Sequence, residues 1–192
     1  MKVLRFIAAV SAATVALAFA GTAMAAAPLI AFGDPGTVTI EGDSATIHLD
    51  ATGGEFGIEY GGVYSQARAL SNKFLADVDA SFTSTGDVAG GAPRLNIPVD
   101  NDGDKMFDYW AVLDAANCGG TSGETVIVST ENPDCVVYFL GSEAPAASYP
   151  NWDAYAAANP THRVASKGDN SIPFIIADGT PGTYVVESID LQ

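Results

Sequence analysis

Apolar and polar residues alternate along most of this chain, in runs too short for helices and divided by Gly, Pro, Asn and Asp. Thr37 to Glu41 and Ala45 to Leu49 are two such runs, and Gly42, Asp43 and Ser44 between them suit a tight hairpin. Glycines at 53, 54, 57, 61 and 62 then interrupt Phe56, Ile58, Tyr60, Val63 and Tyr64, which reads as a weaker strand or a looped region. From Phe74 to Thr83 the period of two puts Phe74, Ala76, Val78, Ala80 and Phe82 on one face, predicting a strand that covers a core on one side. Leu95, Ile97 and Val99 alternate again, and Pro98, which has no N–H for a ladder, predicts an edge or a strand end. Tyr109 to Leu113, Thr125 to Val128 and Val136 to Leu140 continue the pattern, with TENPD between the last two predicting another hairpin. His162 to Ser166, Ile172 to Ala177 and Thr183 to Leu191 complete it. One segment differs. Tyr149 to Ala158 has helical spacing, with Asn151 to cap it, Asn159 and Pro160 to stop it, and Trp152, Tyr155 and Ala156 on one face.

About nine short strands with turn residues between them predict an all-β fold, an antiparallel β-sandwich of jelly-roll type with one short helix. A closed barrel is the other architecture this pattern allows. The lack of helices between strands argues against a parallel sheet. With no repeat and no low-complexity linker, residues 26–192 read as a single β-sandwich domain.

The first residues change the compartment. A basic start, MKVLRF, an apolar run from Phe6 to Ala20 and the A-x-A sequence Ala23, Met24, Ala25 predict a signal peptide over 1–25 and a secreted, extracellular protein. That run is shorter than the roughly 20 residues a helix needs to span a bilayer. Loss of Lys2 and Arg5 with the leader takes the formal charge from −15 to about −17, which disfavours nucleic acid and anionic membrane as partners. In an oxidising compartment Cys118 and Cys135 are expected to form a disulfide. The TENPD hairpin conflicts with that bond, because it places Cys118 at the far end of the preceding strand from Cys135. Either GGTSG carries the chain back across the sheet or one strand is misassigned.

Asp100 to Asp108, DNDGDKMFD, is the candidate chemical site. Counting Asp100 as the first position, Asp102, Asp104 and Asp108 fall at the third, fifth and ninth, where calcium loops place oxygen ligands, and the Met106 carbonyl falls at the seventh. The same residues would also suit a metal-free acidic turn that uses its carboxylates on local backbone N–H groups. The pattern D-x-D-G-D-x-x-x-D resembles the calcium loops of integrin-type β-propeller repeats and, more loosely, of thrombospondin type-3 and dockerin repeats. Lys105 departs from it at the sixth position, where those families use Gly, and Ala111 cannot supply the bidentate Glu of an EF-hand at the twelfth. The resemblance implies a structural Ca2+ that fixes the loop.

No catalytic constellation stands out, since His48 and His162 are distant in sequence and the cysteines are committed to a bridge. Tyr149, Trp152 and Tyr155 are the candidate ligand-binding rings, with Tyr109 and Trp110 after the acidic loop as a second pair, one of which must face the core. At the level of architecture the chain resembles the β-sandwich, jelly-roll carbohydrate-binding modules of secreted bacterial proteins. That implies a calcium-stabilised, non-catalytic module with a polysaccharide or cell-surface glycan as partner. A cell-surface structural or adhesive protein is the competing expectation, and a small secreted hydrolase the third.

Overall fold

A computed structural model describes residues 28–35, 37–50, 59–65 and 68–191. The expected leader over 1–25 lies outside these residues, as does the glycine-interrupted stretch 51–58. Twelve strands occur among the described residues: β1 (Leu29–Gly33), β2 (Val38–Glu41), β3 (Ser44–Leu49), β4 (Tyr60–Ser65), β5 (Ala80–Ser84), β6 (Arg94–Asp100), β7 (Tyr109–Asp114), β8 (Val126–Ser129), β9 (Tyr138–Leu140), β10 (Arg163–Val164), β11 (Phe174–Asp178) and β12 (Gly182–Leu191). They form two antiparallel sheets. The larger runs β1-β4-β11-β6-β7-β9, with β10 also on β6, and the smaller runs β2-β3-β12-β5-β8. This is the antiparallel β-sandwich that the alternation predicts, with one helix, α1 (Trp152–Ala158).

The core lies between the sheets because alternate residues of each strand point inward. Leu95, Ile97 and Val99 of β6 and Tyr109, Ala111 and Leu113 of β7 meet Ala80 and Phe82 of β5 and Val186 of β12, all buried in one cluster. The β2–β3 hairpin is as expected. Glu41 pairs with Ser44, and Gly42, at φ +68°, takes the first loop position, as a type II′ turn requires.

Three expectations need correction. Between Phe74 and Thr83 only Ala80 onward is strand. Leu75–Asp77 is a single 3-10 turn, in which Leu75 and Val78 are buried while Phe74 and Ala76 are exposed, so the inward spacing is three there and two afterwards. Tertiary hydrogen bonds hold this turn, since Trp152 Nε1 donates to Leu75 O at 2.8 Å and Leu75 N donates to His162 O at 3.3 Å. Pro98, next, sits in an interior strand. On one side of β6, β11 pairs only as far as Asn96 and β10 begins at Val99, so Pro98 occupies the gap between two short partners. Its carbonyl accepts from Ala165 N at 2.9 Å, and its missing N–H falls on that same gapped side.

The third correction removes the TENPD hairpin. β8 pairs with β5 in the smaller sheet, whereas β9 pairs with β7 in the larger one, so the chain crosses between sheets after β7 and again before β9. Cys118 lies on the outgoing crossing and Cys135 on the return, beside neighbouring strands, and the disulfide between them closes the excursion. The conflict between hairpin and disulfide is thus resolved in favour of the disulfide.

The helix follows its sequence signals. Asn151 Oδ1 accepts from Ala154 N at 2.9 Å, and Trp152, Tyr155 and Ala156 form the buried face.

Candidate functional site

The acidic loop joins β6 to β7, which pair directly, so the hairpin sets Asp100 and Asp108 side by side. Asp108 N donates to Val99 O at 2.9 Å and closes the loop. Asp100, 1 % exposed, accepts from Gly103 N at 2.7 Å with Oδ1 and from Lys105 N at 3.1 Å with Oδ2. Asp108 Oδ2 accepts from Asn101 N at 2.7 Å, and Asp102 Oδ1 accepts from Asp104 N at 3.0 Å. Gly103 and Lys105 have φ of +88° and +76°. The sixth position therefore adopts the left-handed conformation that EF-hand loops fill with Gly, and Lys105 carries the steric cost of a side chain there.

One carboxylate oxygen each from Asp100, Asp102 and Asp108 lies within 4.8 Å of the others. Ligand oxygens about 2.3–2.6 Å from one calcium ion sit no more than about 5 Å apart, and the spacing of this triad is within that limit. Asp104, expected as a fourth ligand, is not in the group, and its Oδ1 takes Met106 N at 2.7 Å. Met106 lies in the exposed arm of the loop.

The rings expected to bind a ligand on α1 are mostly structural, which corrects that expectation. Trp152 is 2 % exposed and Tyr155 0 %, so neither can offer a face to a partner. Tyr155 Oη lies 2.8 Å from Tyr109 Oη, which is also 3.1 Å from His162 Nδ1. Burial, then the charge and hydrogen bond of Tyr109, push the Tyr155 phenol well above its ordinary range. Burial likewise lowers the His162 pKa, with Asp100 and Asp108 acting against it. Tyr149 is half-buried and packs on Phe139 and Tyr155 at centroid distances of 5.9 and 5.4 Å.

Rings in partial reach of solvent are found elsewhere. Tyr109 faces the core, so its neighbour Trp110 points to the outer face of the larger sheet. There Trp110 meets Phe107 at 4.5 Å and Phe174 at 4.9 Å, Phe174 meets Phe32 at 5.4 Å, and Phe32 meets Tyr64 at 6.2 Å. These five half-buried rings form one row from β1 to β7. A glycine makes part of it possible. A Cβ on Gly62 would stand 2.4 Å from Phe32 Cζ, so a larger residue on β4 would displace the Phe32 ring from the row.

Beside the rings lies a polar group. Arg94 donates to both carboxylate oxygens of Asp178 at 2.5 Å, a bidentate pair. Burial disfavours the Arg94 charge, but the bond and charge of Asp178 outweigh it and the guanidinium holds its proton more firmly than usual. Asp114, 1 % exposed, accepts from Asn117 N and Nδ2 at 2.7 Å each. Burial, with Asp114 next, raises the Tyr138 pKa above its ordinary range. Asn96, between Arg94 and Pro98, is buried with Oδ1 unpartnered.

A separate hollow of about 410 Å³ between the 3-10 turn and α1 is lined by Phe74, Ala76, Ala156, Ala157, Pro160 and the carboxylates of Asp77 and Asp153. Both carboxylates are exposed. His48 lies on the sheet surface, 3.3 Å from Asp50.

No family model, curated protein or solved structure matches the chain. No described helix is long and apolar enough to cross a membrane.

Proposed function

We propose that this protein is an exported, non-catalytic binding module that takes a glycan on the outer face of its larger sheet. The observation that carries this reading is the row Phe107, Trp110, Phe174, Phe32 and Tyr64, in reach of solvent on a rigid sheet. Flat rings supply apolar area to the C–H faces of sugars at little entropic cost, and the polar group beside them supplies hydrogen bonds. Kinship with jelly-roll carbohydrate-binding modules belongs to the same proposal. Trp110→Ala and Phe174→Ala are each expected to weaken polysaccharide binding about tenfold or more, roughly 1.4 kcal/mol. Affinity electrophoresis of the folded variants checks this, and unchanged mobility in both would remove the face from consideration.

Calcium is the second part of the proposal. Asp100, Asp102 and Asp108 would hold the ion, which would neutralise their mutual repulsion and fix the β6–β7 loop. At an extracellular-type affinity of about 10⁻⁴ to 10⁻³ M, millimolar calcium would add about 1 kcal/mol by mass action, a rise in Tm of roughly 2–4 °C. Asp102→Ala should abolish that rise and Asp104→Ala should leave most of it, because Asp104 is outside the triad. Thermal melts in calcium and in chelator decide it. A rise lost equally in both variants would restore Asp104 as a ligand, and no rise in the parent protein would reduce the loop to an acidic turn.

A structural or adhesive role is favoured by one observation, the exposure of Ile127 and Leu140 on the edge strands β8 and β9. These edges are only four and three residues long, which limits strand addition. Concentration-dependent sedimentation would support this role over glycan binding.

A further inference from the structure

We infer that the outer face of the larger sheet selects a neutral, hydroxyl-rich polysaccharide over one bearing carboxylates or sulfates. The inference rests on that face being the ligand surface and goes on to name the ligand's charge class. Phosphate, sulfate and carboxylate groups are recognised chiefly by arginine with free donors. Here Arg94 has both terminal nitrogens committed to Asp178. Arg163, on the strand beside Asp100, is stacked on Phe74. Its guanidinium lies 3.5 Å from the Phe74 ring centroid and donates to Asn72 O at 3.2 Å.

The acidic side of the balance is the larger one. Asp100 belongs to the proposed calcium triad and is left out of this balance, but Asp114, also buried, stands across the strand pair from Arg94, so that one guanidinium faces two carboxylates, Asp114 and Asp178. The polar group beside the rings therefore carries net negative charge, and an anionic polymer would be repelled where it has to dock. The whole chain, at a formal −15, adds repulsion at longer range. Neutral hydroxyls meet no such penalty. They both donate and accept, and the Asp178 carboxylate with the Tyr64 hydroxyl offers the complementary mixture.

The length of the row adds that the ligand is a chain rather than a single sugar. From β1 to β7 it crosses four strand spacings of ~4.8 Å, roughly 19 Å.

The test is affinity electrophoresis of the mature, oxidised protein and of Trp110→Ala. The neutral polymers are hydroxyethylcellulose, arabinoxylan and galactomannan, and the anionic ones are carboxymethylcellulose, polygalacturonate and chondroitin sulfate. The expected result is retardation by at least one neutral polymer, at least tenfold weaker binding to every anionic one, and loss of retardation in Trp110→Ala. Salt-sensitive binding to an anionic polymer that Trp110→Ala abolishes would overturn the charge class and leave the face standing. Neutral binding that survives Trp110→Ala, or no binding by either class, would overturn the face itself and this inference with it.

Discussion

Trp152→Ala is expected to lower the unfolding free energy by about 3–5 kcal/mol, the range for deleting a large aromatic side chain from a close-packed core. The indole is 2 % exposed and contacts Tyr155 edge-to-face at 5.4 Å. Its N–H is also the tie between helix and 3-10 turn, through Leu75 O. Truncation would therefore open a cavity, leave the Leu75 carbonyl with Val78 N as its remaining donor and loosen α1 from the sandwich. Trp152→Phe should cost less, because it refills most of the volume while still losing the hydrogen bond. Urea unfolding of both variants gives the comparison. A cost below about 1 kcal/mol for Trp152→Ala, together with lost ligand binding, would mean that the ring serves a ligand and not the core.

Removing the disulfide by Cys118→Ala with Cys135→Ala is expected to cost about 3 kcal/mol, since the bond closes a loop of sequence separation 17 and restricts the unfolded chain accordingly. The location makes a large effect reasonable. The bond fastens the crossing that leaves β7 to the crossing that enters β9, where Val136 N donates to Asn117 O at 3.3 Å. Without it, β8 and β9, edge strands of four and three residues, keep only their ladders and a few loop hydrogen bonds such as this one. Alanine is the apt replacement because both cysteines are buried and a serine hydroxyl would need a partner. The oxidised parent and the double variant, unfolded in urea, should differ mainly in midpoint. A difference under about 1 kcal/mol would show that the crossings hold without the bond.

Much of the fold was legible because the inward residues of a half-buried strand repeat every second position. The β2–β3 hairpin, β6, β7, β12 and the capped helix were all visible in that pattern. It failed where tertiary contacts override local periodicity. Nothing in Phe74 to Val78 announces that Trp152 will bind the Leu75 carbonyl and hold a 3-10 turn. Pro98 misled because an edge was not the only place for a missing N–H; a gap between two short partners served as well. TENPD looks like a hairpin loop, and only the sheet order reveals that β8 and β9 belong to different sheets.

The site was legible in part for the same reason. Local spacing sufficed to group Asp100, Asp102 and Asp108, although it also enrolled Asp104. Helical spacing pointed to Trp152 and Tyr155 as one face, yet a shared face can be the buried one. The aromatic row drew on β1, β4, β7 and β11, which are far apart in sequence. Alternation announced that Trp110 or Tyr109 must point outward, but not that Phe174 and Phe32 would lie beside it.

The two tryptophans allow a direct test of the aromatic row, since one is half-buried on it and the other sits in the core. In Trp152→Phe, fluorescence comes from Trp110 alone. Titrating this variant with the neutral polysaccharides should give a saturable change in Trp110 emission whose midpoint matches the affinity from electrophoresis. Emission that stays constant while a polysaccharide binds, or in the presence of all of them, would contradict a ligand surface built on Trp110.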